Sequence, residues 1–253
     1  MTVDAEPTEP PIQSEKPRAR YKITVAYRGT RYHGWQRQAT PPNWKGTVLP
    51  GWGIPTVQQS VERALVDVVK HRVAVIGASR TDSGVHARAQ VAHFDTEYPQ
   101  IAPERLRYAI NAKLPGDVVI TSIVRVPNEF HSIKWAIEKR YEYLVRNHLE
   151  RDAFDADTSF WRAAVLDVDA MQRAASCFIG THDFKSFCRP GHKRFTTTRT
   201  ISNCHVERRG DLVAIGVEGN GFLWNQVRIM AGTLIDIGLG IYPPDSIPEM
   251  LAA

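Results

Sequence analysis

Cysteine is scarce and poorly placed for structural chemistry. Only Cys177, Cys188 and Cys204 occur in 253 residues, an odd number with no C-x-x-C spacing. That argues against a disulfide framework and against a cysteine-based zinc site, and it fits a reducing, cytoplasmic setting. Long apolar runs are missing too, so no segment reads as a membrane span. The opening stretch MTVDAEPTEPPIQSEKPRAR is rich in proline and charge and lacks the apolar centre of a signal peptide. Residues 1–19 therefore read as a disordered tail. A large excess of either charge is also lacking. A net charge of +5 suits a polyanionic partner without requiring one.

What is present reads as an ordinary globular protein: 43% hydrophobic and 23% charged residues, long enough for one large domain or two small ones. Tyr21, Ile23, Val25 and Tyr27 alternate, which predicts a half-buried strand. Residues 39–55, ATPPNWKGTVLPGWGIP, read as a long irregular loop. Thr56 with Gln59 three residues on predicts a capping box, followed by a stripe of Val57, Val61, Ala64, Leu65 and Val68. Strands are expected at VAVIG, QVAHFDT and DVVITSIVRV, with a helix at PERLRYAINAKL. The order is β-α-β-β-α-β, the ferredoxin-like unit. The second part repeats it: a strand at KRYEYLVRN, a helix at VDAMQRAASCFIG closed by Gly180, two strands turning at Gly210-Asp211, and a helix over FLWNQVRIMAGTLIDIG. A short final helix follows, and no closing strand. Because helices and strands do not alternate one to one, we expect an α+β fold. It would comprise two ferredoxin-like (βαββαβ) halves with mainly antiparallel sheets flanking a central cleft, residues 20–128 and 129–253, the second lacking its last strand.

One stretch carries unusual chemistry. GASRTDSGVHARAQVAHFD, residues 77–95, sets Arg80, Asp82 and His86 in a turn bounded by Gly77 and Gly84. A carboxylate on such a loop can approach a ligand closely, and Arg80 can hold a carboxylate or phosphate through two bonds. A solvated surface turn accounts for the same residues equally well. His86 fits a histidine hydrogen-bonded within the loop better than a base. A metal site can be drawn from Asp82, His86, His93 and Asp95, but no recognisable ligand spacing supports it, and no metal is expected. Farther on, Arg228 lies early in a mostly apolar helix. It either snorkels to solvent or meets an acid, for which Asp82 is the obvious candidate. Tyr141 and Tyr143 share a strand face beside Lys139 and Arg140. They are either sheet aromatics or a platform for a base with its phosphates.

These stretches together resemble the TruA-type tRNA pseudouridine synthases, whose signature runs G-A-x-R-T-D-x-G-V-H-A-x-x-Q-V-x-H-F. The likeness extends in order through YRGTRYHGWQRQ, FHSIKWAIEKRYEYLV, THDFKSFC and GNGFLWNQVRIMAGTLIDIGLG, from Tyr21 to the C-terminus. The resemblance implies an enzyme that isomerises uridine in the anticodon stem-loop of tRNA, a cytoplasmic homodimer without a cofactor. It implies that Asp82 is catalytic, that Arg80 helps extrude the target nucleotide, that Tyr141 stacks on its base, and that Arg228 pairs with Asp82. It also implies a role for the glycines, which would let the loop come close to a flipped nucleotide.

Three departures stand out. Residues 39–55 look inserted. FHSIKW replaces the usual F-H-A-R-F-S, so Ile133 stands where the family has arginine, and the phosphate contact is lost or passes to Lys134. The usual closing segment, A-P-A-x-G-L-x-L, is not found, so the expectation is a piece of a longer protein or a gap filled by a partner strand. A non-catalytic RNA-binding protein of the same fold is the rival expectation.

Overall fold

A computed structural model describes residues 18–40, 42–98, 100–190 and 196–253. Of the expected tail, residues 1–17 lie outside the described residues, and Ala19 already belongs to a strand. The chain forms two compact units, Met1–Lys134 and Trp135–Ala253, each with its own hydrophobic core. The fold is α+β with mainly antiparallel sheets.

In the first unit β1 (Ala19–Tyr27) alternates buried and half-buried positions, as the period-two pattern requires. It pairs antiparallel with β3 (Ala87–Thr96) and with β4 (Val118–Val126), and β2 (Ile76–Gly77) pairs with β3. The sheet order is β2-β3-β1-β4. Helices α1 (Val57–Val69) and α2 (Pro103–Asn111) complete the β-α-β-β-α-β sequence. Tyr21, Ile23 and Val25 share a core with Val57, Val61 and Leu65 of α1. The capping box is formed: Gln59 N–H donates to Thr56 Oγ1, and Thr56 N–H donates back to Gln59 Oε1.

The strand expected over residues 73–77 shrinks to Ile76–Gly77. The reason lies in α1. Val75 N–H donates to Glu62 Oε1, and Val75 C=O accepts from Gln58 Nε2. Helix side chains thus satisfy the backbone groups that a neighbouring strand would otherwise take. Val73 and Val75 remain buried, which is the signal the apolar run carried.

In the second unit β5 (Lys139–Arg146), β6 (Phe160–Trp161), β7 (Gly180–Asp183), β8 (Thr198–Arg209) and β9 (Leu212–Gly219) form a sheet of order β6-β5-β9-β8-β7. All pairs are antiparallel except β5 with β6. The helices are α3 (Val168–Ser176), α4 (Gln226–Gly238) and the short α5 (Ile247–Ala252). Helix α3 ends at Ser176, with Cys177 as its C-cap, rather than at Gly180, which opens β7 instead. Helix α4 starts later than expected because Asn225 takes a left-handed conformation and Leu223 N–H bonds back to Gln226 Oε1. Strands β6 and β7 were not foreseen.

Candidate functional site

The loop between β2 and β3 is held from below by the segment that follows β1. Trp35 N–H donates to Thr81 C=O at 3.1 Å, and the Tyr27 hydroxyl bonds Thr81 Oγ1 at 2.8 Å. The Tyr32 carbonyl accepts from both Gly84 N–H and Ser83 Oγ at 3.3 Å. His86 Nδ1 accepts from Gly29 N–H at 3.2 Å, which makes this histidine a brace between the loop and the segment beneath it. The supporting segment is itself fixed. Tyr32 OH and the Arg31 guanidinium donate to opposite oxygens of Asp117.

Close approach explains the glycines beneath the loop. Gly34 has φ +85°, and a Cβ there would stand 2.5 Å from Thr81 O. A Cβ at Gly29 would collide with Val85 C=O. Gly77 has an internal reason as well, since the Trp35 indole occupies the space its side chain would need. The glycine at 77 thus serves packing, whatever the loop later meets. Gly84, at φ +78°, makes the turn after Asp82. On this frame Asp82 is half-buried and Arg80 is exposed.

The metal grouping considered from sequence does not assemble. His93 is buried, with Ser132 Oγ 2.9 Å from Nδ1, and both oxygens of Asp95 accept from Arg20. Burial depresses the His93 pKa below the ordinary imidazole value, and the Arg20 bond holds the Asp95 carboxyl below its own. Among the described residues no cluster of three or more His, Cys, Asp or Glu could hold a metal ion. Ser132 Oγ donates on to Ile76 C=O at 2.8 Å, so the FHS stretch ties the start of the loop to β3. Ile133 and Lys134, where the family motif departs, are exposed.

Tyr141 and Arg228 belong to the second unit. Tyr141 lies on β5 opposite Val217, half-buried, with Phe222 edge-on to its ring at 5.1 Å between centroids. Arg228 is the third residue of α4 and exposed. Its charge reaches Tyr143, whose pKa is raised by burial and partly lowered again by Arg228. So Tyr141, Tyr143, Phe222 and Arg228 form one aromatic and cationic neighbourhood within this unit. Phe222 was not singled out from the sequence, although it directly follows the GNG turn. Tyr27, Trp35 and Thr81 were missed as loop supports because nothing local marks a contact across more than forty residues.

The comparison with known proteins decides the family. A profile described as tRNA pseudouridine synthase matches residues 23–133 and 174–253, which include the braced loop, Phe222 and Arg228. The chain belongs to the tRNA pseudouridine synthase family. Among its relatives in that family, the tRNA pseudouridine synthase A of Acetivibrio thermocellus is 40% identical over 230 residues, 91% of this chain and 88% of that protein. The tRNA pseudouridine synthase A 2 of Clostridium perfringens is 39% identical over 230 residues, with the same coverage of 91% and 88%. The tRNA pseudouridine synthase A of Ruminiclostridium cellulolyticum is 40% identical over 232 residues, covering 91% of this chain and 89% of that protein.

Proposed function

We propose that this chain isomerises uridine to pseudouridine in tRNA, with Asp82 as the catalytic residue. The observation that carries this reading is the R-T-D loop itself. It holds Asp82 half-buried on a frame of backbone bonds, in a chain whose family relatives carry that activity in their names. The chemistry is balanced without an electron donor or acceptor. The bond from the sugar to N1 breaks, a bond from the sugar to C5 forms, C5 loses a proton and N1 gains one. The base must leave the stack to be reached. In this reading Arg80 helps to extrude the nucleotide, Tyr141 stacks on its base, and Arg228 keeps Asp82 ionised. Asp82 acts as a nucleophile on base or sugar, or as the base that removes a sugar proton.

The finer points of the proposal are these. The target lies in the anticodon stem-loop, and the protein works in the cytoplasm as a homodimer. Each unit is a ferredoxin-like half. The first unit's element order and its β2-β3-β1-β4 sheet support that, as do the antiparallel β5-β9-β8 strands of the second. Among the described residues no helix is long and apolar enough to cross a membrane.

Asp82→Asn is expected to abolish pseudouridine formation on unmodified tRNA while tRNA binding survives. Binding rests on many phosphate contacts and not on one carboxylate. Tritium release from C5 of the uridine reads turnover, and filter binding reads affinity. Appreciable turnover by the variant would remove Asp82 from the mechanism. A wild-type chain that binds tRNA and never releases tritium would favour the rival, a non-catalytic RNA-binding protein.

A further inference from the structure

The insertion after the loop-supporting segment carries a surface that the pseudouridine reading leaves unused. Its tip is a tight turn: Leu49 and Gly53 form an isolated bridge, and Trp52 N–H donates to Leu49 C=O at 2.9 Å. Gln59 of α1 bonds the Trp52 carbonyl, which pins the turn to the start of that helix. The Trp52 ring then has two guanidinium groups beside it, Arg37 at 5.7 Å and Arg63 at 5.9 Å. Both arginines are exposed, and Arg37 is further held by Glu62 at 3.0 Å. Trp44, half-buried, stands edge-on to His33 at 4.7 Å, beside the exposed Lys45.

The charge balance is one-sided. From residue 33 to residue 63 the cations are Arg37, Lys45 and Arg63, and the single acid is Glu62. Its side chain is only 4% exposed and is spent on Val75, Gln58 and Arg37. The charges that solvent meets on these residues are therefore positive, with the exposed Asp67 one helical turn beyond Arg63. A fixed aromatic ring that orders two guanidinium groups loses little freedom on contact and presents charged donors in a set arrangement. Loops that merely connect have no need of this. The patch is also continuous with the candidate site: Arg37 lies two residues after Trp35, which bonds Thr81 of the R-T-D loop.

We infer that Trp52, Arg37 and Arg63 form an RNA-backbone clamp outside the nucleotide-binding loop. In it the two arginines take phosphates of the tRNA flanking the target, and Trp52 keeps them in register. The inference rests on tRNA being the substrate. An RNA strand fits better than an acidic protein because the guanidinium fork matches phosphate oxygens, while the half-buried Trp44 adds a ring on which a base can stack.

The test measures tRNA affinity across a salt series for wild type, Arg63→Gln and Trp52→Leu, with Arg107→Gln as a charge-matched control. Arg107 also sits over an aromatic ring, Tyr108 at 4.8 Å, but on α2, outside the insertion. Arg63→Gln is expected to bind tRNA several-fold more weakly at low salt. The slope of log affinity against log salt should flatten by about 0.7–0.9, the share of one phosphate contact. Trp52→Leu should move in the same direction, and Arg107→Gln should match wild type. Unchanged melting of Arg63→Gln separates contact from folding, since the residue is exposed. Wild-type affinity and slope in Arg63→Gln would overturn the clamp. So would an equal loss in Arg107→Gln, which reduces the effect to net charge. A selective loss of polyglutamate binding with tRNA binding intact would assign the patch to an acidic protein and also overturn it. These outcomes are read by affinity alone. A wild type that turns over tRNA while Arg63→Gln binds normally defeats the clamp only, and a wild type that binds without turnover defeats the enzymatic reading only.

Discussion

A methyl group at position 34 would have to share space with the Thr81 carbonyl oxygen at 2.5 Å, from a backbone at φ +85°. Either the segment supporting the loop or the loop itself must move. We expect Gly34→Ala to cost about 1–3 kcal/mol of stability, from the left-handed backbone and the contact together. Pseudouridine formation should drop further than the unfolded fraction explains, because the displaced backbone is that of Thr81 and Asp82. Urea denaturation and single-turnover assays of the same preparation check both. If the alanine variant is as stable and as fast as wild type, the bracing does not set the loop. The site was half legible at this scale. Arg80, Asp82 and Gly84 lie within one short stretch, where turn residues and charged groups announce themselves locally. Tyr27 gives no such signal, since its bond to Thr81 spans 54 positions and exists only once the sheet has formed. Gly77 was legible as special, but its packing reason was not: its neighbour is the Trp35 indole, 42 positions back in the chain.

Elements were read well where their signals are local and poorly where a partner intervenes. The capping box at Thr56 needs only residues 56–59, and it formed as expected. Strand β2 came out shorter than expected because Gln58 and Glu62 of α1 bond to Val75, something no periodicity encodes. The end of α3 moved because Gly180 joined a strand pair with Ile201. The junction of β2, β3 and residues 130–132 yields a pH prediction. Buried His93 has Nδ1 2.9 Å from Ser132 Oγ, whose proton goes to the Ile76 carbonyl. Burial places its pKa below the ordinary 6.5. Between those two values the unfolded chain holds the proton more readily than the folded one. The stabilisation from His93 is thus whole above pH 6.5 and declines as pH falls through the lowered folded value. Asp95, held by Arg20 below its ordinary 3.8, adds a second loss in stronger acid. Acidification should loosen residues 130–132 from β2 first. Amide exchange at Ser132 and an NMR titration of His93 would show it. A His93 that titrates at or above 6.5 would contradict the assignment.

For the whole molecule, charge and assembly set the expectations. With a net charge of +5 and RNA as partner, affinity should fall steeply with salt as counterions are released. A flat dependence would argue against phosphate contacts as the source of binding. Light scattering at micromolar concentration is expected to report a homodimer, and a clean monomer would defeat that part of the proposal. One buried group offers a different kind of handle. Of six tryptophans, Trp35 alone is buried, at 1% exposure, and its indole N–H finds no acceptor among the described residues. An indole in such surroundings emits at the blue end of the tryptophan range, while the half-buried and exposed ones emit further to the red. The protein therefore carries its own optical gauge beneath the R-T-D loop, and any event that lifts the loop and lets water reach that N–H will register as a colour change before the fold is lost.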